Sequence, residues 1–339
     1  RRVLFRSCAS ANKMLRDYCT EHNLPVNKCG KVVVTKNYEE EKVLQELESR
    51  GKKNGCDIKI LPKKELLNYE PRAKTHENFL WSPNTWSASP IDVVDNILKE
   101  LKEANIKLLC NRKVIRHSKN NLLLSSGETI NYDFLVNAAG AYALNVAELF
   151  GIKTHFRLLP FKGLYLSTSS KKYRMNSHVY PVPDIEQPFL GIHTTLNYKN
   201  ELKIGPTAIP AFSSENYNFL EGIDFKLLLQ IIPLQLNLLL RNYFNFRNLA
   251  LREIKFIFKQ NILKDVGKII NMNLNERDFN WYSPGIRAQL YNSKTKLLEN
   301  DFVLKEEQNR FHILNSISPA WTCSFKTAQF VINHLVKNI

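Results

Sequence analysis

The sequence lacks the short motifs that identify several classes of hydrolase. It contains no phosphate-binding loop of the form G-x-x-x-x-G-K-[ST], no G-x-S-x-G nucleophile elbow and no H-E-x-x-H zinc motif. It also lacks the G-x-G-x-x-G fingerprint that opens most dinucleotide-binding folds. These absences argue against hydrolases of those classes, and they leave a nucleotide-type fold without its usual N-terminal signature.

Closely spaced cysteines are absent as well. The six cysteines lie far apart in the chain, and no two of them form a C-x-x-C pair. Zinc sites and disulfide frameworks are recognised from sets of regularly spaced cysteines. We therefore interpret these residues as reduced, buried thiols of a cytoplasmic protein, and we expect no metal site.

Acidic residues are too few to balance the basic ones. The chain has 48 Lys and Arg against 32 Asp and Glu, which gives a net charge of +16 and a pI near 9.5. Such a charge normally indicates nucleic acid or an anionic membrane as a partner. The lysines are scattered among asparagines and isoleucines, however, and no basic cluster alternates with aromatic residues. We attribute the charge to composition and expect no nucleic-acid partner; a basic binding protein without chemistry stays open as an alternative.

No apolar run is long enough to cross a bilayer. The most apolar stretch, Leu227 to Leu240, has about 14 residues that include Pro, Asn and Gln, whereas a spanning helix needs about 20 apolar residues. This stretch predicts a helical hairpin packed on the core, with a membrane-surface face as the alternative.

The first residue is not methionine, and the first seven residues have an unusual origin. RRVLFRS is the in-frame translation of a widely used sequencing-library adapter. We therefore expect residues 1–7 to be an artefact, and we exclude them from the fold prediction.

Strand and helix patterns are interleaved along the rest of the chain, whose 339 residues are 44% hydrophobic and can bury a large core. GKVVVT predicts a buried strand, whereas EEEKVLQELESRGKK and PIDVVDNILKELKEA predict helices. Three short strands are predicted by NIKLLCNRKVIRHS, NLLLSSGETI and YDFLVNAAG. A mostly antiparallel sheet is predicted by GLYLSTS, HVYPVPD, FLGIHTTLN and LKIGPTAIPAF. A strand and a long amphipathic helix close the chain. This order predicts an α/β protein with two domains built from discontinuous segments.

Small residues follow the strand YDFLVN. Ala138, Ala139 and Gly140 would allow the main chain to pass very close to a flat or charged ligand. The sequence around them resembles the FAD-dependent oxidoreductases of the D-amino-acid-oxidase superfamily. The resemblance rests on the order of CGKVVVT, YDFLVNAAGAYA, HVYPVPDIEQPFLGIHTT, KIGPTAIPAF, SPGIRAQL, ENDFVL and HILNSISPAWT. Within the superfamily, this order is most similar to that of the L-2-hydroxyglutarate oxidase/dehydrogenase family, and the similarity runs from Ala9 to Ile339.

The resemblance implies a flavin-binding Rossmann-like domain of the glutathione-reductase type and a mostly antiparallel α+β substrate domain. We assign residues 8–29, 91–152 and 283–339 to the flavin domain, and residues 30–90 and 153–282 to the substrate domain. Members of the superfamily begin with a glycine-rich βαβ unit that does not occur in this sequence. We therefore expect an N-terminally truncated fragment that is inactive on its own.

The resemblance also implies FAD as the cofactor. Val114 would hold the adenine through its main chain, and Ala138, Ala139 and Gly140 would pass the diphosphate. A helix that begins near Pro319 would direct free N–H groups and a partial positive charge at the flavin. An ordinary structural role stays the alternative for Val114 and for this helix start. The remaining cofactor candidates are Gly285, Ile286, Ser318, Ala320, Thr322 and Trp321, the last a departure from the small residues of relatives.

The implied reaction is oxidation of an L-2-hydroxy acid, L-2-hydroxyglutarate or a close analogue, to the 2-oxo acid by hydride transfer to flavin N5. Arg287 is the candidate clamp for the substrate carboxylate, because a guanidinium binds a carboxylate bidentately. His193 is the candidate base for the hydroxyl proton. Lys162 and Tyr180 are candidates for a second carboxylate. A surface ion pair for Arg287 and a core position for His193 are the alternatives.

The resemblance leaves partners and substrate partly open. Oxygen or a membrane quinone is the expected electron acceptor, and the expected location is the cytoplasm, with peripheral contact at the inner membrane. A related flavoenzyme acting on an amine, an amino acid or glycerol 3-phosphate is the alternative to a 2-hydroxy-acid oxidoreductase.

Overall fold

Helices and strands alternate along the chain in the computed structural model, which describes residues 8–183, 189–217, 222 and 224–336. The adapter-like residues 1–7 lie outside this part of the chain. The helices are α1 (Cys8–Glu21), α2 (Tyr38–Lys53), α3 (Leu66–Tyr69), α4 (Pro90–Glu103), α5 (Ala143–Leu149), α6 (Phe225–Arg241), α7 (Phe246–Ile254), α8 (Lys259–Val266) and α9 (Ser324–Val336). The strands are β1 (Val26–Asn27), β2 (Lys31–Val34), β3 (Lys59–Pro62), β4 (Asn78–Ser82), β5 (Ser87–Ala88), β6 (Val114–Ser118), β7 (Asn121–Leu124), β8 (Thr129–Asn131), β9 (Leu135–Asn137), β10 (Phe156–Thr168), β11 (His178–Pro181), β12 (His193–Leu196), β13 (Leu202–Gly205), β14 (Ile209–Pro210), β15 (Asn280–Asn292), β16 (Leu297–Leu298), β17 (Val303–Glu307) and β18 (Arg310–Asn315).

Local capping signals explain where the two predicted N-terminal helices begin. The Asn37 side chain accepts a hydrogen bond from the Glu40 N–H at 3.0 Å, and the first turn of α2 is acidic while its last turn is basic. The Ser89 side chain accepts from the Asp92 N–H at 3.4 Å, and Pro90 takes the first helical position of α4. Both helix predictions are confirmed.

The largest sheet has ten strands in the order β16-β15-β10-β13-β12-β11-β2-β4-β3, with β14 paired to β10. Its strand pairs are antiparallel, except that β11 runs parallel to β2. The predicted strand GKVVVT and the strands of the predicted antiparallel sheet belong to it. The mostly antiparallel sheet is therefore confirmed.

An apolar core covers one face of this sheet. Its strands alternate side chains between the two faces with a period of two. Helix α8 packs on the core face, where the buried residues include Val32, Val34, Phe79, Leu166, Val179, Ile204, Ile262, Leu263 and Val266. The neighbouring strand positions Lys31, Tyr165, Tyr180 and Lys203 consequently lie on the opposite face, which we call the polar face.

Two three-stranded sheets lie beside the large one. One has the antiparallel order β6-β7-β8, and the other has the order β17-β18-β9, in which β18 and β9 are parallel. The parallel pair is important for the site, because parallel strands end at the same sheet edge. The turn after β9, residues 138–140, therefore meets the turn after β18. The domain boundary that we predict at residue 283 falls inside β15, and the division into two domains stays a prediction.

Two predicted segments have a different secondary structure. Residues 106–113 are not part of a strand: β6 begins only at Val114, because Asn105 and Asn111 take positive φ angles of 54° and 56° that interrupt an extended chain. Leu227 to Leu240 lies in the single helix α6 rather than in a hairpin, and Pro233 stands inside this helix without ending it. In the described part of the chain, no helix has the length and hydrophobicity that crossing a membrane requires.

The C-terminal helix begins later than predicted. Its regular turns start at Ser324 and not near Pro319. Turns occupy residues 318–323, and the Cys323 N–H donates to the Pro319 carbonyl oxygen at 3.0 Å. The turns at residues 318–323 therefore separate β18 from the regular helix α9.

Candidate active site

A cavity of about 750 Å³ lies on the polar face of the large sheet. Strands β10, β11, β12, β13 and β15 contribute to its wall, together with the turns after β9 and β18. It brings together six of the predicted site residues: Gly140, Tyr180, His193, Ile286, Arg287 and Ser318. It is also lined by Tyr165, Phe189, Thr195, Lys203, Gln289 and Asn300, and none of its described lining residues is Asp or Glu. The charge of this lining is therefore positive.

A second cavity, of about 330 Å³, lies between β9, β18 and α9. It contains two further predicted cofactor residues, Ala138 and Ala320, and is otherwise mostly apolar. Ser316 lines both cavities, so the two are neighbours. This arrangement follows from the parallel β9–β18 pair, which brings the small residues after each strand to the same edge.

The other predicted site residues line neither cavity. Val114 is the first residue of β6 and stands opposite Leu124 of β7. Lys162 stands opposite Ile286 in the pairing of β10 with β15, one position away from Phe161, which faces Arg287. Adjacent strand residues point to opposite faces, so Lys162 points away from the side that Phe161 shares with Arg287, and it does not line the cavity. The remaining residues of this group are Ala139, Gly285, Pro319, Thr322 and Trp321, whose side chain is 43% exposed.

A buried asparagine, which the sequence analysis did not single out, fixes the turn after β9. The Asn137 side chain donates to the Ala143 carbonyl oxygen at 2.9 Å and accepts from the Ala139 N–H at 3.2 Å. Gly140 has a φ angle of 56°, and no atom lies within 4 Å of the position that a Cβ would take there. Gly285 has similar open space. The main chain is thus accessible on this side, and the small residues of the two neighbouring cavities fit an extended dinucleotide cofactor. The asparagine directly after an apolar strand was the available signal, because Asn side chains commonly bond the backbone of turns.

Arg287 lies on β15, and contacts within the protein hold part of its guanidinium in place. Its Nη1 donates to the Thr207 carbonyl oxygen at 2.9 Å, and its Cζ lies 5.4 Å from the ring centroid of Phe189. Burial lowers the pKa of Arg287, and nearby Tyr165 and Glu253 partly offset this effect by raising it. Arginine nevertheless stays protonated at neutral pH. The guanidinium has five N–H donors, so the remaining ones can bind a carboxylate in the cavity.

His193 and Tyr180 form a stacked pair in the cavity wall. Their ring centroids are 3.8 Å apart with an interplanar angle of 26°. His193 Nδ1 lies 2.8 Å from the Gly191 carbonyl oxygen, which assigns the proton to Nδ1 and leaves Nε2 with a lone pair. Burial, with smaller effects of Lys31 and Arg287, lowers the pKa of His193 to about 4, so the ring is neutral at pH 7. Burial raises the pKa of Tyr180 well above its ordinary value, so its hydroxyl stays a donor.

Three further polar residues of this face were not predicted as site residues. His178 Nδ1 accepts from the Leu196 N–H at 3.0 Å, and burial, together with Lys31 and His193, lowers the pKa of His178 to about 3. Burial also lowers the pKa of Lys31, whose Nζ lies 5.0 Å from the Tyr180 ring centroid. Lys203 lines the cavity itself. The available signal was the alternation of polar residues with the apolar core positions of β2, β11 and β13.

The fold and the paired cavities define a flavoprotein, and comparison with known proteins gives the family. The sequence profile of the family described as FAD dependent oxidoreductase matches residues 1–328. The chain belongs to this family, and its cofactor is FAD. The prediction of the family and that of the cofactor are both confirmed.

Similar proteins of known name are L-2-hydroxyglutarate dehydrogenases. The protein of Indibacter alkaliphilus is 27% identical over 345 residues, which span 98% of this chain and 84% of the relative. The Escherichia coli protein is 25% identical over 333 residues, 96% of this chain and 77% of the relative. The mitochondrial protein of Nematostella vectensis is 29% identical over 349 residues, 96% of this chain and 75% of the relative.

Solved structures confirm the predicted fold class. The L-alpha-glycerophosphate oxidase of Mycoplasma pneumoniae, with FAD bound, matches with a TM-score of 0.67 at 19% identity, over 99% of this chain and 79% of that one. The glycine oxidase of Geobacillus kaustophilus matches with a TM-score of 0.68 at 14% identity, over 97% and 78% of the two chains. At these identities the likeness shows the fold alone: a mixed α/β, flavin-binding Rossmann-like fold.

Proposed function

We propose that the protein oxidises an L-2-hydroxy acid, L-2-hydroxyglutarate or a close analogue, to the corresponding 2-oxo acid. The observation that carries this proposal is one cavity whose lining contains both Arg287 and a neutral His193 but no described carboxylate. A 2-hydroxy acid presents a carboxylate and a hydroxyl on adjacent carbons, which match a guanidinium and a base. The similarity to L-2-hydroxyglutarate dehydrogenases supports the same substrate class.

Arg287 positions the substrate in this proposal. The Thr207 carbonyl oxygen and the Phe189 ring hold the guanidinium on two sides, so its free N–H groups have a defined direction. A bidentate bond to the C1 carboxylate then fixes C2 relative to the turn after β9, where the main chain is open. FAD, when bound, would supply the redox chemistry of this oxidation.

His193 Nε2 accepts the hydroxyl proton in this proposal. The Nδ1–H bond to the Gly191 carbonyl oxygen fixes the tautomer, and the stack with Tyr180 fixes the ring plane. With a pKa of about 4, His193 is a weak base in the ligand-free cavity. A bound carboxylate would offset the positive charges of Arg287 and Lys31, so it would raise the pKa of His193 toward the working pH.

An anaerobic titration tests the reaction class. The full-length protein, loaded with FAD, is mixed with L- or D-2-hydroxyglutarate, and the flavin absorption band is followed. We expect the L enantiomer alone to bleach the band. Bleaching by glycine, proline or glycerol 3-phosphate, but by neither enantiomer, would retain the family and refute the proposed substrate.

The electron acceptor is the second part of the proposal, with oxygen and a membrane quinone as the candidates. One face of α6 favours a membrane: Phe225, Leu229, Ile232, Leu236 and Leu240 follow one another at intervals of three or four residues and are 40% to 77% exposed. Beside the C-terminal end of this face, Arg241 is exposed and the Arg247 guanidinium donates to the Leu239 and Leu240 carbonyl oxygens. An amphipathic helix with basic residues at its edge is typical of peripheral binding to anionic lipid, and this supports the proposed location in the cytoplasm with peripheral contact at the inner membrane.

Vesicle flotation tests the membrane contact. The FAD-loaded protein should float with vesicles that contain anionic lipid, and a Leu229→Ser, Leu236→Ser variant should float less. Thr20→Ser on the exposed side of α1 is the control. Equal flotation of both variants, together with faster reduction of oxygen than of a soluble quinone analogue, would favour oxygen as the acceptor.

A further inference from the structure

Lys203 is a cation of the large cavity without a carboxylate partner. It lies on β13, and its Nζ is 3.8 Å from the ring centroid of Tyr282 and 5.0 Å from that of Tyr165. No ion pair of the described residues includes it. Burial lowers the pKa of Lys203, which shows that its ammonium is partly removed from water. A partly desolvated ammonium that lies over two ring faces and has no ion-pair partner among the described residues is a favourable position for an anion.

The ammonium of Lys203 and the guanidinium of Arg287 reach neighbouring positions of β10. Arg287 Nη1 lies 3.5 Å from the position that a Cβ on Gly163 would take. The ammonium of Lys203 lies over Tyr165, two residues further along the same strand. Two strand residues span roughly 7 Å, a spacing of positions that suits two carboxylates on a short carbon chain.

Thr195 adds a polar group at the Lys203 end. It stands directly opposite Lys203 in the pairing of β12 with β13, and both residues line the cavity. His193 lies two residues before Thr195 on the same face of β12, toward Arg287. Along the cavity, Arg287 is therefore followed by the neutral histidine and then by Lys203, which has the Thr195 hydroxyl beside it.

We propose that Lys203, and not Lys162, binds the distal carboxylate of a 2-hydroxy dicarboxylate whose C1 carboxylate is held by Arg287. This inference rests on the proposed function, and it makes Lys203 the residue that selects diacids over monoacids. Lys162 lies on the alternate face of β10 and does not line the cavity.

Kinetics with two substrates of equal chain length test the selection. Lys203→Met keeps the methylene contacts with the tyrosine rings and removes the charge. We expect kcat/KM for L-2-hydroxyglutarate to fall about 10- to 100-fold, the loss of one charge-assisted bond, and kcat/KM for L-2-hydroxypentanoate to stay within about twofold. Lys203→Arg should restore most of the diacid activity. Lys199→Met is the matched control, because Lys199 is exposed and its Nζ also lies near a tyrosine ring, 5.5 Å from the centroid of Tyr198.

Binding of unreactive ligands separates this inference from the proposed reaction. Glutarate and pentanoate carry no hydroxyl, and their Kd can be measured by calorimetry on the FAD-loaded protein. We expect Lys203→Met to weaken glutarate 10- to 100-fold, in the range of one charge-assisted bond, and to leave pentanoate unchanged. If no hydroxy acid reduces the flavin but glutarate still shows this difference, the proposed reaction fails and the role of Lys203 stands. Equal losses for both ligands, no loss for either, or a diacid-specific loss in Lys162→Met instead would overturn the inference.

Discussion

The two faces of the ten-stranded sheet are built from alternate residues of the same strands, yet they differ in polarity around the cavity. The core face carries Val32, Val179 and Ile204, which are fully buried, whereas the adjacent positions Lys31, Tyr180 and Lys203 are polar. Burial shifts the pKa of each of these three polar groups toward its neutral form. Burying the polar groups of the polar face therefore costs desolvation free energy, whereas burying the apolar side chains of the core face stabilises the fold.

This difference shows what each face contributes. Apolar side chains on the core face contribute in proportion to the area that they remove from water, and the sequence pattern alone identifies them. Perturbed cations and histidines that gather around a cavity indicate a functional site. Substitutions on the core face should consequently change stability, and substitutions on the polar face should change binding and catalysis.

The largest effect is expected on the core face. Leu166→Ala removes a fully buried side chain from β10 and should lower the free energy of unfolding by about 2–5 kcal/mol. The neighbouring residue on the polar face provides the control: Tyr165→Phe keeps the ring and should change the free energy of unfolding by less than about 1 kcal/mol, as expected for a substitution that leaves no cavity. Urea unfolding measures both. Equal losses would show that the two faces do not differ in this way.

The next effect is on the polar face. Arg287→Lys keeps a positive charge but loses the planar fork, so kcat/KM for L-2-hydroxyglutarate should fall by about two powers of ten or more. Arg157→Lys, an exposed position near the start of β10, is the control for an arginine-to-lysine change in this sheet. Wild-type kinetics in Arg287→Lys would remove this residue from the site.

The smallest effect per residue is a pH dependence that comes from two buried histidines. His178 and His193 have folded pKa values of about 3 and about 4, both below the ordinary value, so the unfolded chain binds more protons at pH 4 to 6.5. Their stabilising contribution is complete above pH 6.5 and decreases as the pH falls. Each histidine should lower the free energy of unfolding by about 2 kcal/mol between pH 6.5 and pH 5.

Thermal unfolding between pH 7 and pH 5 measures this dependence. His193→Gln should show a flatter stability profile than the wild type, whereas His155→Gln, in the turn before β10, should follow the wild-type slope. Parallel profiles for all three proteins would mean that the buried histidines do not control this transition.

Much of the core face was predictable because its signals are local. GKVVVT and the strands of the antiparallel sheet follow from short apolar patterns, and α4 follows from a Ser-Pro start and an apolar stripe. Two predictions went wrong where local backbone conformation decides the structure: the positive φ angle of Asn111 interrupts the strand predicted before Val114, and the turns after Pro319 delay α9. Such angles are not encoded in hydrophobic periodicity.

The polar face was less predictable because it depends on register between distant strands. Arg287, His193 and Tyr180 were singled out from the family resemblance, and the structure places all three in one cavity. Their roles stay predictions. Lys203 was missed and Lys162 was preferred, since only the pairing of β10 with β13 and β15 shows which lysine shares the cavity with Arg287.

Strand β10 sets the distance between the two cations that we propose to bind the substrate carboxylates. It pairs with β13 over one part of its length and with β15 over nearly all of it, so it sets how far the Lys203 position lies from the Arg287 position. A bulge between Gly163 and Tyr165 falls between these two positions. On the proposed function, gaining or losing one residue at the bulge would therefore change the distance between the two cations, and with it the chain length of the acid that fits between them, while both cations are kept.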